Sequence, residues 1–200
     1  MTAPIHIGSS LWNGHTIGLL GGSFNPAHKA HGYIAEQALK RLGLDFVWLL
    51  VSPGNPLKGD KDMASHAERM KTTDFITRHP NIVASDIECS LGTNRTFDTI
   101  MKLKNAFPRS NFIWLMGADN MQQFEQWYKW DKIACTLPIA IFDRPEYSIA
   151  RLTSGLARKF RKNQVPNTLI YKAKAPAWTF VTSKRNKISA TAIRGTTGRH

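Results

Sequence analysis

The chain has 200 residues, of which 42% are hydrophobic, 10% aromatic and 20% charged. This excludes a collagen-like, low-complexity or disordered polypeptide and suits one compact globular domain over residues 15–200, preceded by a loose extension over residues 1–14. Lys and Arg number 27 against 14 Asp and Glu, a net charge of +13, so an anionic partner is expected; 12 of the basic residues and no acidic ones fall after residue 150.

Short apolar runs alternate with longer amphipathic stretches. In chain order the pattern predicts a strand at 16–20, a helix at 31–41, a strand at Phe46–Val51, and a helix at 64–78 capped by Ser65. A strand at Ile82–Ser85 follows, then a helix at Thr96–Ala106 capped by Thr93 or Asn94, a strand at 111–116, a helix at 122–134 and a strand at 138–142. The last quarter predicts a basic helix at 149–162, short strands at 169–172 and Trp178–Val181, and one or two helical turns at 189–194. The strands are too evenly apolar for one wet face. That pattern and the βαβα order predict a Rossmann-like, doubly wound, mostly parallel sheet with helices on both faces, and ligands beyond the carboxyl ends of its strands.

Cys89 and Cys135 have no CxxC spacing and no His cluster around them, so a reducing compartment is expected and no residue is singled out as a metal ligand. No Lys or Arg precedes Lys29, and no run of about 18 apolar residues occurs, so the expected setting is the cytoplasm, away from membranes. The sequence admits a homo-oligomer.

The first expected strand runs into Gly21-Gly22-Ser23-Phe24-Asn25-Pro26-Ala27-His28-Lys29-Ala30-His31 and then a helix. Paired glycines let backbone approach a ligand closely, and a helix N-terminus offers free N–H groups to an anion. The spacing fits neither the dinucleotide GxGxxG nor the GxxxxGK[ST] loop. His28 and His31, three apart in the first turn, face the same side. Near the other end, Ile188-Ser189-Ala190-Thr191-Ala192-Ile193-Arg194 brings hydroxyl, backbone N–H and guanidinium donors into one short turn, as a polyphosphate requires.

The first segment resembles the GxFxPxHxGH signature of the nucleotidyltransferase superfamily, with Ala30 at the usual second glycine, and the second resembles its ISSTxxR motif, with Ala190 at the second serine. The resemblance implies ATP binding by Gly21, Gly22, Ser23, Phe24, His28, His31, Ser189, Thr191 and Arg194, with His28 and His31 catalytic and Mg²⁺ arriving with the ATP. Three middle segments narrow it to the nicotinate-nucleotide adenylyltransferases, over roughly residues 16–195. Ser52-Pro53-Gly54-Asn55-Pro56-Leu57-Lys58, followed by Arg69, is similar to a loop of the mononucleotide site, which implies a role there for Asn55 and for Lys58, the latter otherwise a solvated loop lysine. Gly92-Thr93-Asn94-Arg95-Thr96 resembles a Tyr-Thr-x-x-Thr segment. Thr96 matches its threonine, while Arg95 stands at the tyrosine, where a guanidinium stacks, meets a carboxylate or simply sits on the surface.

Trp114-Leu115-Met116-Gly117-Ala118-Asp119, continuing to Trp127-Tyr128, completes the likeness. It implies that Asp119 accepts hydrogen bonds from the adenosine part of ATP and that Trp127 stacks on the pyridine ring, the alternative being that Trp127, like Trp130, packs a helix on the sheet. Arg144-Pro145 resembles a further signature near the adenine. The implied reaction transfers AMP from ATP to nicotinate mononucleotide, giving nicotinate adenine dinucleotide and pyrophosphate for NAD biosynthesis. Rival acceptors are nicotinamide mononucleotide and phosphopantetheine. A basic nucleic-acid-binding protein is the rival of another class, suggested by Arg158-Lys159-Phe160-Arg161-Lys162, but no nucleic-acid module is present and no specific nucleic acid is expected.

Overall fold

The computed structural model describes residues 5–54, 63–143 and 153–182. Its strands are β1 (Thr16–Gly22), β2 (Phe46–Val51), β3 (Ile82–Ser85), β4 (Asn111–Gly117), β5 (Ile139–Phe142) and β6 (Trp178–Val181). Its α-helices are α1 (Lys29–Leu42), α2 (His66–Lys71), α3 (Ile87–Leu91), α4 (Thr96–Ala106), α5 (Ala118–Gln123), α6 (Trp130–Thr136) and α7 (Gly155–Lys159). The six strands form one sheet in the order β3-β2-β1-β4-β5-β6, every neighbouring pair parallel. The doubly wound expectation therefore holds, and the sheet is wholly parallel.

The strands are apolar on both faces because both faces are covered. Ile17, Leu19, Trp48, Leu50, Trp114 and Ile139 point to one side, against Ile100 and Leu103 of α4, Ile133 of α6 and Leu156 of α7. Leu20, Val47, Leu49, Ile113 and Leu115 point to the other, against Ile34, Ala35, Ala38 and Leu42 of α1 and Ile170. Alternation along each strand splits one apolar run into two cores. Helix α1 stops at Gly43, whose φ of +66° makes the left-handed cap that ends helices.

Four elements differ from expectation. The helix expected at 64–78 ends at Lys71: Thr72 and Thr73 turn their hydroxyls back to the carbonyls of Arg69 and Met70 at 2.7 Å, competing with helix continuation. The helix expected at 122–134 is broken into α5, a 3-10 turn at Phe124–Gln126 and α6, because Trp127 is extended and Lys129 left-handed (φ 53°). The strand expected at 169–172 lies in a 3-10 helix, Asn167–Lys172, which buries Ile170 while Leu169 and Tyr171 are exposed. Within 149–162, the described residues give α7 and a 3-10 turn at Arg161–Asn163.

Two caps also resolve. Ser65 caps α2 as expected, accepting from Glu68 N–H, and that hydroxyl contact holds the Glu68 carboxyl below its ordinary range. For α4 the cap is Arg95, not Thr93 or Asn94, since the Thr93 hydroxyl is engaged below the surface. The expected loose extension contains a fixed point: Trp12 is 2% exposed and sits edge-on to Phe46 and Trp48, at 5.1 and 5.0 Å between ring centroids.

Candidate functional site

Strand order reverses between β1 and β4, whose following connections leave in opposite directions, and the crevice beyond their carboxyl ends is where this architecture takes ligands. Gly21 and Gly22 close β1 there, and Gly117 closes β4, leading directly into Ala118 and half-buried Asp119 of α5. Gly21 is fixed by packing: a Cβ on it would come within 2.6 Å of Trp114 Cη2. Phe24, 1% exposed, turns the chain with a φ of 47°, a conformation disfavoured for a bulky side chain.

The turn delivers the histidines to the N-terminus of the 14-residue helix α1, whose first turn carries no acidic residue to oppose an anion. The His28 and His31 rings stack at 3.8 Å between centroids, and Phe24 lies 4.7 Å from His31. His31 Nδ1 accepts the backbone N–H of His28 at 3.2 Å. That bond puts the proton of a neutral His31 ring on Nε2, making Nε2 a donor.

Arg69, quoted from the sequence without a role, is the residue that binds these loops together. It is 1% exposed. Nη1 donates to Ser23 O and Ser52 O at 2.7 Å, Nη2 to Pro53 O at 3.2 Å and Nε to Ala64 O at 3.0 Å. The loops after β1 and β2 and the segment leading into α2 thus share one guanidinium, with no carboxylate in the set. Thr72 adds to the frame: its hydroxyl accepts from Ala27 N–H at 3.0 Å. The signal was the spacing of Arg69, Thr73 and Ile76 on one inward face, which the charge of Arg69 masked.

A second wall rises beside β4. In a parallel α/β sheet the helix leading back to the next strand starts at the carboxyl edge, so the N-termini of α4 and α6 lie on this side. Thr96 is the first residue of α4. Trp127 is half-buried and packs edge-on to Trp114 and Phe124, at 6.1 and 5.3 Å, so the packing alternative accounts for at least part of its ring. Trp130 packs similarly on Phe124 and Phe160. The Arg95 guanidinium lies 4.7 Å from the Tyr128 ring centroid, joining the N-terminal ends of α4 and α6, and an open depression of about 530 Å³ lined by Gly92, Arg95, Phe97 and Asp98 adjoins it.

Under this wall sits Glu88 of α3, 6% exposed, taking a hydrogen bond from the Thr99 hydroxyl at 2.8 Å; that hydroxyl is 2.9 Å from Thr93 Oγ1. Burial pushes the Glu88 carboxyl up to about 7, against the opposing pull of Thr99. Burial, then Asp86 and Glu88, push the Cys89 thiol up, which disfavours its thiolate.

The structure thus brings Gly21, Gly22, Ser23, Phe24, His28, His31 and Asp119 to the two strand ends flanking the crevice, and Thr96 and Trp127 to the adjoining wall. Asn55, Lys58, Arg144, Pro145, Ser189, Thr191 and Arg194 lie outside the described residues, as does the turn expected at 189–194. No described helix is long and apolar enough to cross a membrane.

Comparison with known proteins bears on the same site. The profile of the cytidylyltransferase-like family matches residues 19–196. A probable nicotinate-nucleotide adenylyltransferase of Rhizobium johnstonii is 44% identical over 184 residues, which is 90% of this chain and 92% of that one. Another, from Agrobacterium fabrum, is 43% identical over 181 residues, or 89% and 97%. Among solved structures, the Plasmodium falciparum nicotinic acid mononucleotide adenylyltransferase complexed with NaAD superposes with a TM-score of 0.65, covering 86% of this chain and 76% of that one. At 16% identity that likeness speaks for the fold.

Proposed function

The chain belongs to the cytidylyltransferase-like family, among its nicotinate-nucleotide adenylyltransferases, and on that premise we propose that it transfers the adenylyl group of ATP to nicotinate mononucleotide in NAD biosynthesis. The observation that carries the reading is the stacked His28–His31 pair at the N-terminus of α1, beside the β1/β4 crevice. The relatives' names supply the acceptor.

An oxygen of the mononucleotide phosphate bonds to the α-phosphorus of ATP as the bond from that phosphorus to the bridging oxygen of the β-phosphate breaks, and pyrophosphate leaves with the bond electrons. A phosphomonoester has a second pKa of roughly 6, so the nucleophile is already ionised at neutral pH and needs no base from the protein. What remains is alignment of two anions and stabilisation of charge on the α-phosphate and the leaving group.

His28 and His31 are the donors at that charge, and the bond from His28 N–H keeps His31 Nε2 in its donor form. Arg69 holds the carbonyls of Ser23, Ser52 and Pro53, and so keeps the backbone of both loops in place around the phosphates. Ser189, Thr191 and Arg194 grip the β- and γ-phosphates, Asn55 and Lys58 the acceptor phosphate, and Asp119 the adenosine. Trp127 offers its uncovered face to the pyridine ring. Mg²⁺ enters as part of the substrate, Mg·ATP.

The test is pyrophosphate release from Mg·ATP with nicotinate mononucleotide, nicotinamide mononucleotide and phosphopantetheine supplied one at a time. The expected result is fastest release with the nicotinate acceptor; release only with another acceptor, or with none, contradicts the reading.

A further inference from the structure

At the end of the sheet opposite the crevice, a cleft of about 680 Å³ opens where β4 and β5 begin and where the 3-10 helix Asn167–Lys172 leads toward β6. Strand β4 spans the distance between the two places. Asn111 lines the cleft and Gly117 closes the strand at the crevice, six residues on, or about 20 Å at the rise of a parallel strand. A ligand in the cleft therefore cannot touch the histidine pair.

Its charge is one-sided. Lys104 of α4, Lys172 and Lys174 line it and no Asp or Glu does; among the described residues none of these three ammonium groups has a carboxylate within 4 Å. Lys104 is held in place, donating to the Thr136 carbonyl at the end of α6 at 3.1 Å, and its ammonium has further N–H bonds to give. The hydroxyls are spent: Ser110 donates to the Trp12 carbonyl and Thr136 to the Lys132 carbonyl, each at 2.6 Å. The donors left for a ligand are chiefly ammonium groups, and like charges gathered in one cleft are relieved by an anion, most fully by a multivalent one. The rest of the lining is largely apolar. It includes Phe112 and Leu137, 6% and 3% exposed, and Tyr171, 37% exposed. The Tyr171 ring packs against Gly43, where a Cβ would come within 3.3 Å of Cδ1, and Lys172 Nζ lies 5.1 Å from the ring centroid. Buried Ile170 anchors the turn that carries both. A cleft of this size suits a small organic ligand, and an exposed ring beside a cation suits one that is flat at one end and negatively charged at the other.

We propose that this cleft is a second nucleotide site, taking a nucleoside triphosphate with its phosphates on Lys104, Lys172 and Lys174 and its base against Tyr171. It stands or falls independently of the proposed adenylyl transfer. The cations are exposed, so binding weakens as ionic strength rises.

Cys135 is exposed and lines the same cleft, so its alkylation by iodoacetamide, followed by mass on the peptide that carries it, reads occupancy without any turnover. GTP is the probe, because the crevice is proposed for ATP. In the full chain GTP should slow the alkylation saturably, and the protection should fade as salt is added. Lys172→Gln combined with Lys174→Gln removes two exposed charges and should raise the GTP concentration for half protection about tenfold, the scale of a charge-assisted contact, with Tm as in wild type. Lys104→Gln should act in the same direction. Inorganic tripolyphosphate should protect more weakly than GTP, since it leaves the apolar lining unused. No protection by GTP, or protection undiminished in the double variant, overturns the site. Tripolyphosphate as effective as GTP overturns the nucleotide assignment, and tighter protection by a short single-stranded RNA would make the cleft a nucleic-acid surface instead.

Discussion

The two walls of the crevice are built from opposite materials. At the β1–α1 side, buried groups hold backbone: Arg69, 1% exposed, gathers four carbonyls, and a single N–H orients His31. At the α4–α6 side, the exposed cations Arg95 and Lys129 lie by the Tyr128 and Phe97 rings rather than by partners of opposite charge, and half-buried Trp127 packs edge-on to Trp114 and Phe124. A phosphate is the same in every acceptor, and the wall proposed to meet it carries its side chains on loops that buried Arg69 ties together. The pyridine ring is proposed to meet the second wall, where Trp127 is half-buried against the core residues Trp114 and Phe124.

Substitutions should separate the walls by size and kind of effect. The largest is expected for His31→Ala, which removes a donor at the reacting phosphate and should lower kcat about 10²–10³-fold while the melting temperature stays close to wild type; near-normal turnover by the folded variant would take His31 out of the chemistry. Next comes Arg69→Met, which leaves buried carbonyls without donors. It should cost about 3 kcal/mol, a fall of about 6–12 °C in Tm, together with a loss of kcat for every acceptor alike. A loss confined to one acceptor would blur the contrast between the walls.

Glu88→Gln probes the foot of the second wall through pH. The folded carboxyl titrates at about 7 against an ordinary 4.5, so the protonated form favours folding. Its contribution is fully present below pH 4.5 and is lost as pH rises through 7. The variant should therefore lose less stability than wild type between pH 5 and 8, by about 2 kcal/mol, as thermal melts across that range would show. Parallel melting curves in pH would place Glu88 in a wetter setting. Smallest is Trp127→Ala, expected to raise KM for the mononucleotide about tenfold and KM for ATP much less. Equal changes in both would assign Trp127 to packing alone.

Much of this was legible beforehand because parallel strands buried on both faces read as unbroken apolar runs: β2 and β3 fall at the residues expected, and β1, β4 and β5 differ by a residue or two at an end. The glycine pair and the histidines at their spacing marked the phosphate end equally directly. What escaped detection did so for local reasons. Leu169, Ile170 and Tyr171 look like a strand, yet one residue in three faces inward, which is 3-10 spacing. Arg69 was hidden by its charge, since a guanidinium saturated by carbonyls has no signature in composition. The cation pair was invisible because Arg95 and Lys129 lie 34 positions apart, and only the packing of α4 beside α6 brings both to Tyr128.

The most direct measurement is an internal competition: equal nicotinate and nicotinamide mononucleotides with Mg·ATP, the dinucleotides separated by mass and pyrophosphate counted in the same sample. One pyrophosphate for each dinucleotide, with nicotinate adenine dinucleotide dominant, is the predicted result. A dominant amide product in wild type, or pyrophosphate released without dinucleotide, would contradict the account.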